Sequence, residues 1–202
     1  MLKKTLLLVS FFIFVLSNFT HANNWIQVNA DGFGDADNIE SCYMTIFNGA
    51  IYVGVTNEVS GCEVRRYNGT TWTQVNTDGF GDANNWEADG LVEYNGNLYV
   101  GTTNKNTGCE VWRYNGSDWT RVDPGAPGLG NGGFGDGAFQ QDARGMAVYN
   151  GKLYVGTENK ISSCEVWEYD GISSWKQVNM DGFGEPDNEE SISMAVDRKS
   201  VV

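Results

Sequence analysis

The sequence predicts an all-β chain in which one four-stranded antiparallel unit recurs, and three observations carry that prediction. Trp25, Trp72 and Trp119 lie 47 residues apart, and Trp175 follows after 56. Each interval holds four short apolar-rich runs separated by polar gaps, most cleanly between Gly90 and Val122. Asn-Gly pairs punctuate those gaps, and two adjacent residues that tolerate positive φ are the strongest short-range hairpin signal. Four strands per unit, repeated at this period, is the signature of a β-propeller blade. The count gives about three complete blades, 41–77, 88–124 and 143–180, with a leading outer strand at Trp25 and a truncated fourth blade from about residue 190.

The chain opens with Lys3 and Lys4, an apolar run from Leu6 to Leu16 and Thr20-His21-Ala22. A basic start, a short apolar core and a small residue at the end read as a secretory signal peptide over residues 1–22. The run is too short for a good membrane span and no basic stop-transfer cluster follows it. The reading is a protein secreted or held at the cell surface, periplasmic in a Gram-negative cell, with no membrane insertion after cleavage.

The whole chain carries a formal net charge of −13, and loss of the leader removes two lysines and no acid. Such a surface repels nucleic acid and anionic lipid and suits cations, basic partners or uncharged glycans. The only histidine is His21, inside the leader, so Ser-His-Asp and Cys-His arrangements are excluded from the mature chain. Cys62, Cys109 and Cys164 occupy one place in successive units, before Glu-Val. Equivalent strands in stacked sheets lie about 10 Å apart, beyond the roughly 7 Å between Cα atoms that a disulfide spans. Another strand separates Cys42 from Cys62, so all four cysteines are expected as free, buried thiols.

The units align strand by strand. First strands are Tyr43–Phe47, Leu91–Tyr94 and Met146–Tyr149, turned by Asn48-Gly49, Asn95-Gly96 and Asn150-Gly151. Second strands are Ile51–Gly54, Leu98–Gly101 and Leu153–Gly156; third strands are Cys62–Tyr67, Cys109–Tyr114 and Cys164–Tyr169. Asn68-Gly69, Asn115-Gly116 and Asp170-Gly171 then make two-residue turns into fourth strands that open at Trp72, Trp119 and Trp175. Both sides of a blade are covered by neighbours, which explains why Glu-Val-Trp-Arg-Tyr has apolar residues on both faces.

The run Met146 to Gly156, then Glu165-Val166-Trp167-Glu168-Tyr169-Asp170-Gly171, then Trp175, resembles kelch-type propeller repeats over nearly all of the mature chain. The chain departs from that pattern where a Gly-Gly pair would follow the Tyr-containing strand, having Gly54-Val55, Gly101-Thr102 and Gly156-Thr157. The Asn-Gly-Thr-Thr-Trp72 turn is also loosely similar to the Asp-box of sialidase-like propellers, without its Asp and spacing. The resemblance implies a propeller.

In an up-and-down meander the tight turns share one end, and the long polar loops gather at the other, where a binding face is expected. These loops hold Gly-Phe-Gly followed by an acid. They supply Asp31, Asp35 and Asp37 in the first, Asp78 and Asp82 in the second, and Asp181, Glu185 and Asp187 in the last, with Glu40, Glu87 and Glu190 just after them. Carboxylates and amides on a glycine-bent loop are the donor set for Ca²⁺, though the spacing is not that of an EF-hand, and the same acids also serve simply as turn caps. Trp86, beside Asn84 and Asn85, is a candidate to stack on a sugar or a partner side chain. Asn57, Asn104 and Asn159 recur in the second connection as candidate binding residues. Glu63, Glu110 and Glu165 repeat in mid-strand and are expected to satisfy backbone donors or to pair with Arg66 and Arg113.

No catalytic residue is assigned. The leading reading is a secreted, non-catalytic module that binds a protein, glycan or surface through the acidic-loop face. One alternative is part of a sialidase-like or other glycoside-active propeller, since that chemistry needs only two acids. The other is a structural segment of a larger cell-surface protein. Three blades would leave two apolar faces in water, so a longer parent chain or self-association is also expected.

Overall fold

The computed structural model describes residues 25–125 and 133–197; the leader lies outside these residues. Among the described residues the fold is all-β, with twelve strands in two sheets. The first sheet is β1 (Asn38–Phe47), β2 (Ala50–Asn57), β3 (Glu63–Tyr67) and β4 (Trp72–Gln74), in sequential antiparallel order. The same order is repeated by β5 (Glu87–Tyr94), β6 (Asn97–Thr103), β7 (Val111–Tyr114) and β8 (Trp119–Arg121). It is repeated again by β9 (Gln140–Tyr149), β10 (Lys152–Asn159), β11 (Val166–Tyr169) and β12 (Trp175–Gln177). The second and third units merge into one eight-stranded sheet through a single pairing, Thr103 with Asp142.

The first turn of each unit behaves as its sequence predicts. Asn48-Gly49, Asn95-Gly96 and Asn150-Gly151 all place both residues at positive φ, 48–50° for Asn and 71° for Gly, the geometry that matches strand twist. The third turns are longer than the two residues expected. Only the glycine is left-handed there, and Asn68 Oδ1 accepts the Thr70 and Thr71 N–H groups, so the side chain closes a four-residue loop. Asn115 does the same in its unit, and Asp170 closes a five-residue loop in the third.

The core lies between units. Phe47, Tyr52 and Val64 pack with Leu91, Leu98 and Tyr114 of the second unit. Tyr94, Tyr99 and Val111 pack with Leu153, Val155 and Tyr169 of the third. The approach is close enough to require glycine. A Cβ on Gly54 would stand 2.0 Å from the Ala88 carbonyl oxygen, and one on Gly101 would stand 1.9 Å from that of Ala143. Each unit is further tied to its predecessor by an indole: Trp72, Trp119 and Trp175 Nε1 donate to the carbonyls of Val28, Val75 and Val122.

Candidate functional site

The first strands begin earlier than the apolar pattern suggests, at Asn38, Glu87 and Gln140. Alternation is broken there by a bulge at the same place in every unit. Pairing skips between Ser41 and Met44, between Ala88 and Gly90, and between Ala143 and Met146. A bulge re-aims its side chain, and the residues it carries are Cys42, Asp89 and Arg144. Two residues before each lies a carboxylate: Glu40, Glu87 and Asp142, followed in the next repeat by Glu190.

These positions converge on a cleft of about 300 Å³ lined by Glu40, Cys42, Tyr43, Glu87, Asp89, Arg144 and Ile192. Arg144 is its centre. Nε donates to Asp89 Oδ2 at 2.8 Å, Nη2 lies 3.1 Å from Glu87 and 3.2 Å from Asp142, and Nη1 holds Glu190. Thr103 Oγ1 lies within hydrogen-bond distance of both Glu87 and Asp89. Glu158 is held by Lys160 at 2.7 Å, and Tyr43 donates its hydroxyl to the Ile192 carbonyl. Glu40 is exposed and is the one ring carboxylate outside the guanidinium's reach.

Acids outnumber bases, so protons make up the difference. Burial and then hydrogen bonding with Asp89 push Glu87 up to about 7. Burial also works to raise Asp89, but the Glu87 hydrogen bond and the Arg144 charge outweigh it and hold Asp89 low. The second pair divides in the same way. Burial and hydrogen bonding with Glu158 push Asp142 up to about 8, and the bond with Asp142 holds Glu158 down. Each pair thus keeps one proton near neutrality.

The Gly-Phe-Gly loops share one backbone shape. Gly32-Phe33, Gly79-Phe80 and Gly182-Phe183 all sit in the left-handed region, φ 54–57°. A non-glycine residue there is strained by about 1–2 kcal/mol, and at Phe33 and Phe80 aromatic packing holds it. Phe80 stacks on Trp112 at 4.8 Å and meets Trp119 edge-on at 4.9 Å. Asp31, Asp78 and Asp181 accept from Gln27, Gln74 and Gln177. Asp35 and Asp82 take the N–H groups of Asp37 and Asn84. Glu185 closes its loop with its backbone N–H, and Asp187 lies exposed. Among the described residues, three carboxylates with oxygens within 4.8 Å of one another occur at Glu87-Asp89-Asp142 and at Asp142-Glu158-Glu190. The structure does not bring the loop acids together in this way.

Asn57, Asn104 and Asn159 are fully buried. Their Oδ1 atoms accept from the backbone two and three residues on, closing the second connection. Asn85 is also buried and donates to Gly79 and Glu110, while exposed Asn84 bonds Asp82 and Asn106. Trp86 is half-buried, with the Lys105 ammonium 4.5 Å from its ring centroid. The repeated glutamates stand at the start of the third strands, not in their middle, and pair otherwise than expected. Glu63 binds Arg65, Glu110 binds Arg121, and Glu165 accepts from the Trp167 indole, without an arginine among the described residues. Arg66 and Arg113 lie three residues from their glutamates, on the opposite strand face, whereas a partner at two residues shares the face. Glu165, without an arginine, is pushed up to about 7 by burial. All four cysteines are free, and burial raises each thiol, Cys42 to about 12. They are protonated and unsuited to nucleophilic attack.

Sequence reasoning missed Asp89, Asp142 and Arg144. The signal available was the constant acid at Glu40, Glu87, Asp142 and Glu190, with a variable residue two places on. No helix among the described residues is long and apolar enough to cross a membrane. No protein-family model matches the chain, kelch repeats included, and no curated protein matches it. Among solved structures it is similar to a Parabacteroides distasonis ATCC 8503 protein provisionally assigned as a glycoside hydrolase, with a TM-score of 0.44 and 12% identity. The match covers 77% of this chain and 52% of that one, so the chain spans about half the length of that protein.

Proposed function

We propose that the chain is a propeller-type module of four-stranded blades that binds, without catalysis, a partner presenting a positively charged group to the cleft around Arg144. The observation that carries this reading is Glu40. Its counterparts Glu87, Asp142 and Glu190 are each bound by Arg144, whereas Glu40 stands exposed at the rim without an ion pair. Tyr43 and Ile192 provide an apolar wall beside it, which suits the aliphatic stem of a lysine or arginine. The test is calorimetric titration of lysine- and arginine-containing peptides at low and high salt, beside a glycan array. Binding of basic peptides that weakens with salt and with Glu40→Gln is expected. Binding of neutral glycans alone, indifferent to both, overturns the reading.

A second reading, glycoside hydrolysis, draws on Glu87 and Asp89, whose acidities are pushed apart as in an acid–base pair. It stands second because their oxygens lie within 4.8 Å and both are bound to Arg144. Retaining glycosidases hold their carboxyls about 5–5.5 Å apart and inverting ones further. Turnover of a chromogenic glycoside that is lost in Glu87→Gln would reverse the order.

A further inference from the structure

In each unit the acid near the start of the first strand stands opposite one residue of the second strand. Glu40 faces Thr56 and Glu87 faces Thr103. A threonine there offers carboxylates a hydroxyl, and Thr103 Oγ1 lies 3.0 Å from Glu87 and 2.9 Å from Asp89. The third unit breaks this pairing. Asp142 faces Glu158, and Glu158 also bridges to Glu190. Residues directly opposite each other share a sheet face, with Cβ atoms about 4.5–5.5 Å apart, and like charges so placed repel. Three carboxylates in a row therefore need something positive among them.

The basic side chains meet half of that need. Asp142 Oδ2 lies 3.2 Å from Arg144 Nη2, Glu190 Oε1 accepts from Arg144 Nη1, and Glu158 Oε1 lies 2.7 Å from Lys160 Nζ. Each carboxylate gives one oxygen to a base and keeps the other. On Asp142 the oxygen kept is Oδ1, which is buried and reached by no donor, on a side chain 1% exposed. An acceptor left that way is costly. Carboxylate oxygens of Asp142, Glu158 and Glu190 lie within 4.8 Å of one another. Oxygens that share one Ca²⁺ lie about 2.3–2.6 Å from it, hence no more than about 5 Å apart. The Glu190 side chain is 29% exposed, so water can reach an ion at this point.

We propose that Asp142, Glu158 and Glu190 hold a hard divalent cation, with water completing its shell. The three residues supply oxygen alone, the donor set of Ca²⁺ and Mg²⁺. The ion does for Asp142 and Glu158 what the Thr103 hydroxyl does for Glu87 and Asp89, and it ties Glu190 to the third unit. The inference does not rest on the Glu40 reading.

The probe is calcium chloride, titrated calorimetrically into the full chain after EDTA treatment, with thermal melts alongside. Saturation at one ion per chain is expected, with a Tm that rises with calcium, since a ligand of the folded state alone stabilises it. Glu158→Thr gives the third unit the residue its siblings carry and returns a donor to Asp142, so the fold is kept, as near-ultraviolet circular dichroism will verify. It should weaken calcium binding about tenfold or more, because affinity follows the charge of the ligand set. Glu190→Gln should weaken it in the same direction. Asp187→Asn, at an exposed acid of the neighbouring loop, should leave it within about twofold, since exposed charges are screened. Neither heat nor a Tm shift at millimolar calcium overturns the inference and leaves a shared proton as what joins the acids. Binding undiminished in both Glu158→Thr and Glu190→Gln also overturns it, and marks an adventitious ion only.

Discussion

Arg144 Nε donates to Asp89 Oδ2 at 2.8 Å, joining two residues that occupy the same bulged position in adjacent units. The contact ties the second and third units at the cleft and holds together carboxylates that would otherwise repel. Replacing Arg144 with Met leaves buried acids uncompensated, a change that costs about 3–5 kcal/mol when a buried pair is broken. Urea unfolding of Arg144→Met should show a loss near the lower end of that range, because the arginine side chain is 26% exposed. The loss should be greater at pH 8 than at pH 5, where more of the acids are protonated.

The unmodified chain should itself lose stability as pH rises from about 5 to about 8. Glu87 and Glu165 are raised to about 7 and Asp142 to about 8. An acid whose folded pKa exceeds its unfolded one binds more protons folded, so stability is fullest below the unfolded pKa and declines through the folded pKa. Asp89 and Glu158, held low, act oppositely and only below about pH 4, the ordinary carboxylate range. Thermal melts across pH 4–9 should peak on the acid side, and Glu87→Gln with Glu165→Gln should flatten the decline.

Gly101→Ala should be among the most damaging single-carbon changes in the chain. The new Cβ would meet the Ala143 carbonyl at 1.9 Å, a backbone atom that moves only with its strand. A cost of about 3 kcal/mol, the upper range for overpacking, is expected from chemical denaturation. Gly54→Ala should match it.

The repeated phenylalanines separate strain from packing. Phe134 and Phe183 share a left-handed backbone, φ 53° and 57°, but only Phe134 is buried against Trp167 and Trp175. Phe134→Asn should cost about 3 kcal/mol as a lost core aromatic. Phe183→Asn should stay within about 0.5 kcal/mol of neutral, since asparagine tolerates that conformation and little packing is lost. Equal losses at both positions in thermal melts would contradict the packing account.

The scaffold was legible because its signals are local and repeated. Asn95-Gly96 sits where an Asn-Gly pair must turn, and Gly101 marks a backbone contact at the end of each Leu-Tyr-Val-Gly run. The cleft was not legible, for two physical reasons. The bulge at Asp89 and Arg144 breaks the period-two alternation by which a strand is recognised, so the apolar pattern begins only after it. The bulged residues also differ from unit to unit, Cys42, Asp89, Arg144 and Ile192, and comparison of repeats reads variation as irrelevance. The pairing of Glu63 with Arg65 rather than Arg66 could have been read from strand alternation alone.

The contact of Gly54 with Ala88, and of Gly101 with Ala143, is made by main chain on one side and by a missing side chain on the other. The pitch from one unit to the next is therefore set by atoms that every residue possesses, not by the identity of any side group. The same bulged position carries Cys42, Asp89 and Arg144 in successive units, and the Gly54 and Gly101 contacts are the same beneath it. The lip of such a molecule can therefore differ from one repeat to the next while the spacing beneath it is unchanged at those two glycines.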